Sequence, residues 1–345
     1  MPLNFPSYPE LHAMLFHPER IPEIVIALIL ALVIGMITGP RAGNAWPMLW
    51  IWTDILFGRL GDKLDKKTRP AADLMFRGFL LMAFAVLLAA GLAYICEYIA
   101  AAKPLYGLMK PLLIALAFSG GSVWFVLLRL YFALEQKAPA LSKGAYYGIA
   151  RTSRINLNTT DDFGITRVGM ALSVRTLDKG VVAPALWYLI GGFPALFVYA
   201  VIGALAWRFG KDGFSTGFGA VPVALDKLLG FIPSLFTTVL ISMASVITPT
   251  ANITKSIRSW WGKAAPYAQG GHPLTALAWA LEVTLGGAAK DIAGSTIKSD
   301  WTGPPNATAK VDHKHLRRAI YIHVMACLLL ILALMSAYLW AGLLL

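Results

Sequence analysis

The stretch Val181-Val-Ala-Pro-Ala-Leu-Trp-Tyr-Leu-Ile-Gly-Gly-Phe-Pro-Ala-Leu-Phe-Val-Tyr-Ala-Val-Ile-Gly-Ala-Leu-Ala-Trp-Arg-Phe209 decides the fold of this chain. Apart from Arg208 it carries no charge, and at about 1.5 Å per residue it is long enough to cross roughly 30 Å of hydrocarbon. Its middle, Gly191-Gly-Phe-Pro194, interrupts the helix. Glycine costs helix stability, and proline removes a hydrogen-bond donor. Backbone groups freed at such a break are tolerated in a membrane only inside protein or beside water. The stretch therefore predicts a broken or re-entrant membrane helix, with the Gly191 region as a candidate cavity wall.

Outward from it, clear apolar runs cover Ile21 to Thr38, Phe76 to Ile99, Pro111 to Leu134 and Ala319 to Leu345. A further run, Phe231 to Ile247, follows an amphipathic lead-in at Val221 to Leu229. The expectation is an all-α, polytopic membrane protein of about six transmembrane segments, forming a single integral membrane domain over residues 1–345. Composition agrees: 57% of the 345 residues are hydrophobic and 14% charged, with a mean hydropathy of +0.64. That balance excludes a disordered chain, a disulfide scaffold and an ordinary soluble domain. Cys96 and Cys327 both sit inside apolar runs and read as packing residues.

The formal charge of +12 suggests nucleic acid until the charges are placed. With the N-terminus outside, segments 39–77, 135–180 and 248–318 are cytoplasmic and hold 23 Lys and Arg residues, against 6 in the outer segments. This bias follows the positive-inside rule and predicts a multi-pass inner-membrane protein with its N-terminus outside the cytoplasm. The lipid bilayer is then the expected partner, and nucleic acid is not. Glu10 and Glu19 before the first run, with no small-residue cleavage site after it, argue against a cleavable signal peptide.

Phosphate loops, dinucleotide fingerprints, HExxH and CxxC are all missing from the sequence. Candidate chemistry therefore falls to polar loops. In Arg151-Thr-Ser-Arg-Ile-Asn-Leu-Asn-Thr-Thr-Asp-Asp, the side chains of Arg154 and Asn156 suit an anionic cofactor. Asp161 and Asp162 suit magnesium, though the commoner use of such a pair is to cap the helix that follows. Asp226 precedes an apolar run, either facing the protein interior or lying at the interface beside Lys227. Glu282, in an apolar helical stretch, needs a partner if buried and is wet if that helix is interfacial. His313 and His315 lie among basic residues and make a poor metal site, so no metal site is expected. Gly35 and Gly39 have the spacing of a close helix contact.

Three blocks in order resemble the CobD/CbiB family of cobalamin-biosynthesis membrane proteins, with AmpE-type proteins as distant relatives. They are Gly180-Val-Val-Ala-Pro to Gly-Gly-Phe-Pro194, Phe218-Gly to Leu225-Asp-Lys-Leu-Leu-Gly-Phe-Ile-Pro233, and Gly271-His-Pro to Leu-Gly-Gly287 followed by Asp300-Trp-Thr-Gly303. The resemblance implies ATP-dependent joining of an aminopropanol phosphate to adenosylcobyric acid, an adenosylcobinamide-phosphate synthase-type amide ligation with Mg-ATP. It also implies polar residues that this chain lacks. The family's ESxAENxxDG aligns with Ala171 to Gly180, so its two Glu, its Asn and its final Asp become Ala171, Arg175, Thr176 and Lys179. Its YRAVNTLD aligns with Tyr199 to Ala206, so Asn and Asp become Gly203 and Ala206, while the SPN before its GWP becomes Tyr267-Ala-Gln269.

Four carboxylates are thus exchanged for Ala, Arg, Lys and Ala, which weakens the case for a magnesium-nucleotide site. The leading expectation is a non-catalytic, AmpE-like member with a regulatory or structural role in a membrane complex, where its partner is a membrane protein, a corrinoid or a nucleotide. The alternatives are a working synthase that uses Asp226, Asp161, Asp162 and Glu282, and a transporter.

Overall fold

The computed structural model describes residues 17–66, 68–102, 109–137, 139–158, 160–210, 217–292, 296–297 and 300–344. The architecture is all-α, with one two-stranded pair of two residues each, Ala289–Lys290 and Thr296–Ile297. Among the described residues, six helical stretches are long and apolar enough to cross a membrane: Arg20–Thr38, Ala71–Ala100, Lys110–Gln136, Asp162–Phe209, Ala220–Ile247 and His313–Leu343. The helix Ala71–Ala102 turns large apolar side chains such as Leu87, 72% exposed, outward. In water such a face would be costly; against lipid it is not.

Helix α1 (Arg20–Thr38) packs backbone to backbone on the start of α2 (Gly120–Gln136). A Cβ at Gly35 would lie 2.4 Å from the Ser122 nitrogen, and one at Gly121 would lie 2.0 Å from the Leu32 oxygen. Small residues at such a crossing let apolar helices associate through close packing where the hydrophobic effect gives little drive. Gly39, the other glycine of the pair, instead ends α1 at φ 67°.

The run expected as one span from Pro111 to Leu134 is divided, with a short helix at Lys110–Ala115 and α2 beginning at Gly120. Partners from elsewhere in the chain hold the gap: Leu49 N donates to Leu116 O at 3.1 Å, and Ser119 N donates to Gly180 O at 2.9 Å. Gly180 is needed there, because a Cβ on it would meet Ser119 Oγ at 1.7 Å.

Residues 162–209 form the longest apolar stretch. Asp162–Leu177 (α3) continues through a buried π turn, Asp178–Val182, into Ala183–Phe209 (α4). Inside α4 the chain leaves helical geometry at Gly191 (φ −130°, ψ 17°) and Gly192 (φ 61°, ψ −150°), as the sequence predicted. The consequence is a reversal of direction. The rings of Trp187 and Tyr199 stack with centroids 6.4 Å apart, whereas twelve residues of straight helix would separate them by about 18 Å. The freed carbonyls are met by protein: Arg20 Nη1 donates to Leu189 O at 3.0 Å and reaches Tyr188 O at 3.5 Å.

Helix α5 (Ala220–Ile247) runs unbroken through Pro233, so the amphipathic lead-in and the apolar run are one element. The final helix, α6, covers His313–Leu344. Between them, a short helix at Gly271–Ala280 leads into a segment folded back over residues 154–156. Asn156 N donates to Lys290 O at 2.7 Å, and Ile292 N to Arg154 O at 3.3 Å. That segment closes one end of the cavity described next.

Candidate functional site

The α3–α4 hairpin, the start of α5 and the loops at 153–155, 266–269 and 286–291 enclose a cavity of about 560 Å³. The aligned family motifs converge on it. Ala171, Arg175, Lys179, Gly203 and Ala206 all line it, as do Arg154 and the segment Tyr267 to Gln269. Thr176 does not; it is fully buried, and its hydroxyl donates to Leu172 O at 2.7 Å. The Gly191 turn, expected as a cavity wall, lies elsewhere, beside Arg20 and Glu97. Reversal of the chain explains this, since the helix arms and not their turn flank the space.

Asp226 takes the inward of its two expected placements. It is 2% exposed and ion-paired with Lys179, which stands 47 residues earlier where the family has Asp. The Lys179 ammonium also lies 4.4 Å from the centroid of the Tyr267 ring, a cation–π contact. Tyr267 OH donates to the Asp226 backbone oxygen at 2.7 Å. Burial, with the nearby Asp226 charge, holds this phenol far above its ordinary pKa, so it stays a neutral donor. Gly230 makes the approach possible, because a Cβ there would meet the hydroxyl at 2.0 Å. Behind the pair, Thr237 Oγ1 donates to Asp178 Oδ1 at 3.0 Å.

Arg154, in left-handed geometry at φ 58°, lies 5.3 Å from the centroid of the Trp207 ring. Burial pulls its pKa below the usual guanidinium value, and Arg208 adds to that, while Asp291 and Asp54 oppose it. Arg167 is engaged by protein, donating to Gly286 O at 3.2 Å and Ala309 O at 2.7 Å.

The other expected site residues are not brought here. Asp161 caps α3, accepting from Gly164 N at 2.7 Å. Asp162 meets Tyr146 OH at 3.3 Å in an exposed setting. Glu282 lies just past the end of a helix at φ 55°, half exposed, with Lys255 Nζ 2.6 Å away. That lysine, before burial, dominates its pKa, which is lowered. Asn156 is absent from the cavity wall, and its Oδ1 accepts from Asn158 N at 3.0 Å. Among the described residues no group of three or more His, Cys, Asp or Glu could hold a metal ion.

Motif reading missed the tryptophans. Trp46 and Trp50 stack at 4.3 Å, and with Trp207 they form an aromatic wall. Trp46 precedes the short helix Met48–Thr53 that carries Trp50, so no helical periodicity pointed to the pair. Trp50 also occupies the space a side chain at 203 would need, since a Cβ on Gly203 would meet Trp50 Cζ2 at 2.5 Å. The Asn of the family and this Trp are therefore mutually exclusive in the present packing.

The sequence model of the CobD/Cbib protein family matches residues 24–323. The chain belongs to that family. It is 34% identical over 90 residues to the cobalamin biosynthesis protein CobD of Brucella anthropi, covering 26% of this chain and 27% of the relative. The protein of the same name from Brucella suis is 29% identical over 126 residues, 32% of this chain and 38% of the relative. That from Clostridium perfringens is 31% identical over 132 residues, 37% and 41% respectively. These matches span about a quarter to two-fifths of the length of those relatives. No solved structure matches the chain.

Proposed function

We propose that this CobD-family membrane protein is a non-catalytic binding member with a regulatory or structural role in a membrane complex. One observation carries the reading. The positions where the family motifs place acids and amides line a single cavity, and here they are Ala171, Arg175, Lys179, Gly203 and Ala206. Magnesium in a nucleotide site relies on carboxylate and water oxygens. Here the carboxylates of the wall are Asp226 and Asp291, and Asp226 is neutralised by Lys179. Against them stand Arg154, Arg167, Arg175, Lys179 and Lys227. This donor set does not suit Mg-ATP.

The test is an amide-forming assay with purified protein, adenosylcobyric acid, aminopropanol phosphate, ATP and magnesium. No adenosylcobinamide phosphate is expected, and its appearance would overturn the reading. A second reading, the amide-forming enzyme, draws support from Asp226, whose Oδ1 is buried at the cavity with no hydrogen-bond partner. Under it, Asp226→Asn abolishes product. Placement in the inner membrane with the N-terminus outside rests on the basic residues flanking the first three runs, 14 in segments 39–77 and 135–180 against Arg20, Lys103 and Lys110, because the turn at Gly191 brings Arg208 and Lys227 back towards the side from which the helix came. Reporter fusions at residues 40 and 105 should report cytoplasm and exterior respectively.

A further inference from the structure

Among the described residues, two hydrogen-bond donors in the cavity wall have no acceptor. The first is Arg175 Nε, closed off from solvent. The second is Trp50 Nε1, on a side chain only 1% exposed. The contrast within the aromatic wall is informative: Trp46 and Trp207 both donate to Thr152 O, at 2.9 and 3.0 Å, while the Trp50 indole N–H is left over. A buried donor without an acceptor is costly and uncommon in a native protein. Two in one cavity point to oxygen atoms supplied from outside the chain.

Charge leads the same way. Of the cavity cations, Lys179 is paired with Asp226, and Arg167 donates to two carbonyls. Asp291, the other carboxylate, acts on Arg154, so five cations face two carboxylates in the wall and Arg175, whose Nε has no acceptor, carries the surplus. The same wall carries an aromatic patch of Trp46, Trp50 and Trp207, with Gly203 packed against Trp50 and Arg154 over one face of the Trp207 ring.

We propose that the cavity binds an organic anion with a flat apolar body, whose acidic oxygens accept from Arg175 and Trp50 and whose body lies against Trp207. The proposal deepens the functional reading above and rests on it, since it assigns the ligand class that a cationic, non-ligating cavity takes. The acidic group is a carboxylate or phosphate, carried by a soluble molecule or by a lipid headgroup.

The probe is 2-naphthyl phosphate, titrated calorimetrically into the full chain in phosphatidylcholine nanodiscs, with 2-naphthylmethanol and 2-naphthylmethylammonium as neutral and cationic counterparts. The phosphate should bind at least about tenfold more tightly than either, in line with charge-assisted hydrogen bonding. Arg175→Gln should remove that preference while leaving the alcohol unchanged. Trp50→Phe, which keeps an aromatic ring and drops the N–H, should weaken the phosphate about fivefold, the size of one hydrogen bond, and it provides a reading if Arg175→Gln fails to fold. Lys263→Gln, outside the cavity, should change nothing. Equal binding of the three probes, or a phosphate preference that survives both cavity variants, would refute the proposal. Discs containing phosphatidylglycerol separate the sources: loss of probe affinity there identifies a lipid headgroup as occupant, and unchanged affinity identifies a soluble anion. Amide formation with Arg175-dependent binding intact would sink the functional reading alone. Absence of both leaves that reading standing without this one.

Discussion

The two ends of the α3–α4 hairpin bury charge in opposite ways. At its turn, Arg20 donates to the carbonyls of Leu189 and Tyr188, Tyr188 OH donates to Glu23, and Lys110 Nζ lies 3.3 Å from the same carboxylate. Along its arms, the cavity leaves Arg175 Nε, Trp50 Nε1 and Asp226 Oδ1 without partners. A broken helix in a membrane must have its freed groups satisfied by the protein itself, and the turn meets that requirement. A cavity that leaves donors open within the same fold is organised around something other than its own stability.

The largest effect that bears on this comparison is expected at the one closed charge pair of the cavity. Lys179→Met leaves Asp226 buried and uncompensated, which should cost about 3–5 kcal/mol. Thermal unfolding in detergent should show it, and adding Asp226→Leu should restore most of the loss, because an apolar pair replaces a buried ion pair at little cost. An unshifted single variant would mean that the pair is not closed, and the contrast with its open neighbours would fail. Next in size is Arg20→Met at the turn, where two carbonyls lose a charged donor. About 1–3 kcal/mol is expected. A smaller shift would mean that water already serves the turn, which would make it cavity-like.

The outline of this fold is carried by the sequence because lipid imposes a coarse requirement: long apolar runs with glycine and proline at the breaks. Gly191-Gly192 was legible for that reason. The gap between Ala115 and Gly120 was not, since an apolar run gives no hint that Leu49 N and the Gly180 carbonyl will serve its backbone. At the site, aligned motifs located the wall at Ala171, Arg175, Lys179, Gly203 and Ala206 without showing that these positions face one space. Lys179 paired with Asp226, and Trp50 laid over Gly203, are long-range facts that no local pattern encodes. Glu282 could not be placed for the converse reason. Its flanks are apolar, but the helix stops at Ala280 and the acid emerges beside Lys255.

That exposed pair gives a further, smaller prediction. Glu282→Gln should cost no more than about 1 kcal/mol at neutral pH, as surface pairs do. Lys255 lowers the folded pKa of Glu282, so the contribution is present above the ordinary glutamate pKa and is lost as pH falls through the lowered value. The gap between wild type and variant should therefore close on acidification below the glutamate range. A gap that widened instead would place Glu282 in a buried network and return it to the site.

Smallest of all should be the effect of Arg175→Met on the ligand-free protein, although Arg175 is as central to the cavity as Lys179. Removing a charge that has a partner leaves the partner stranded; Arg175 Nε has no acceptor and Asp226 keeps Lys179, so loss of Arg175 strands little and relieves its desolvation. The midpoint in thermal unfolding should thus stay level or rise. The variant should differ only when ligand is added. Saturation at about a hundred times the dissociation constant stabilises a binding protein by about 2.7 kcal/mol, so 2-naphthyl phosphate should raise the wild-type midpoint and leave that of Arg175→Met where it was. If the variant unfolds early without ligand, Arg175 is a structural cation like Arg20, and the two ends of the hairpin differ less than their hydrogen bonds indicate.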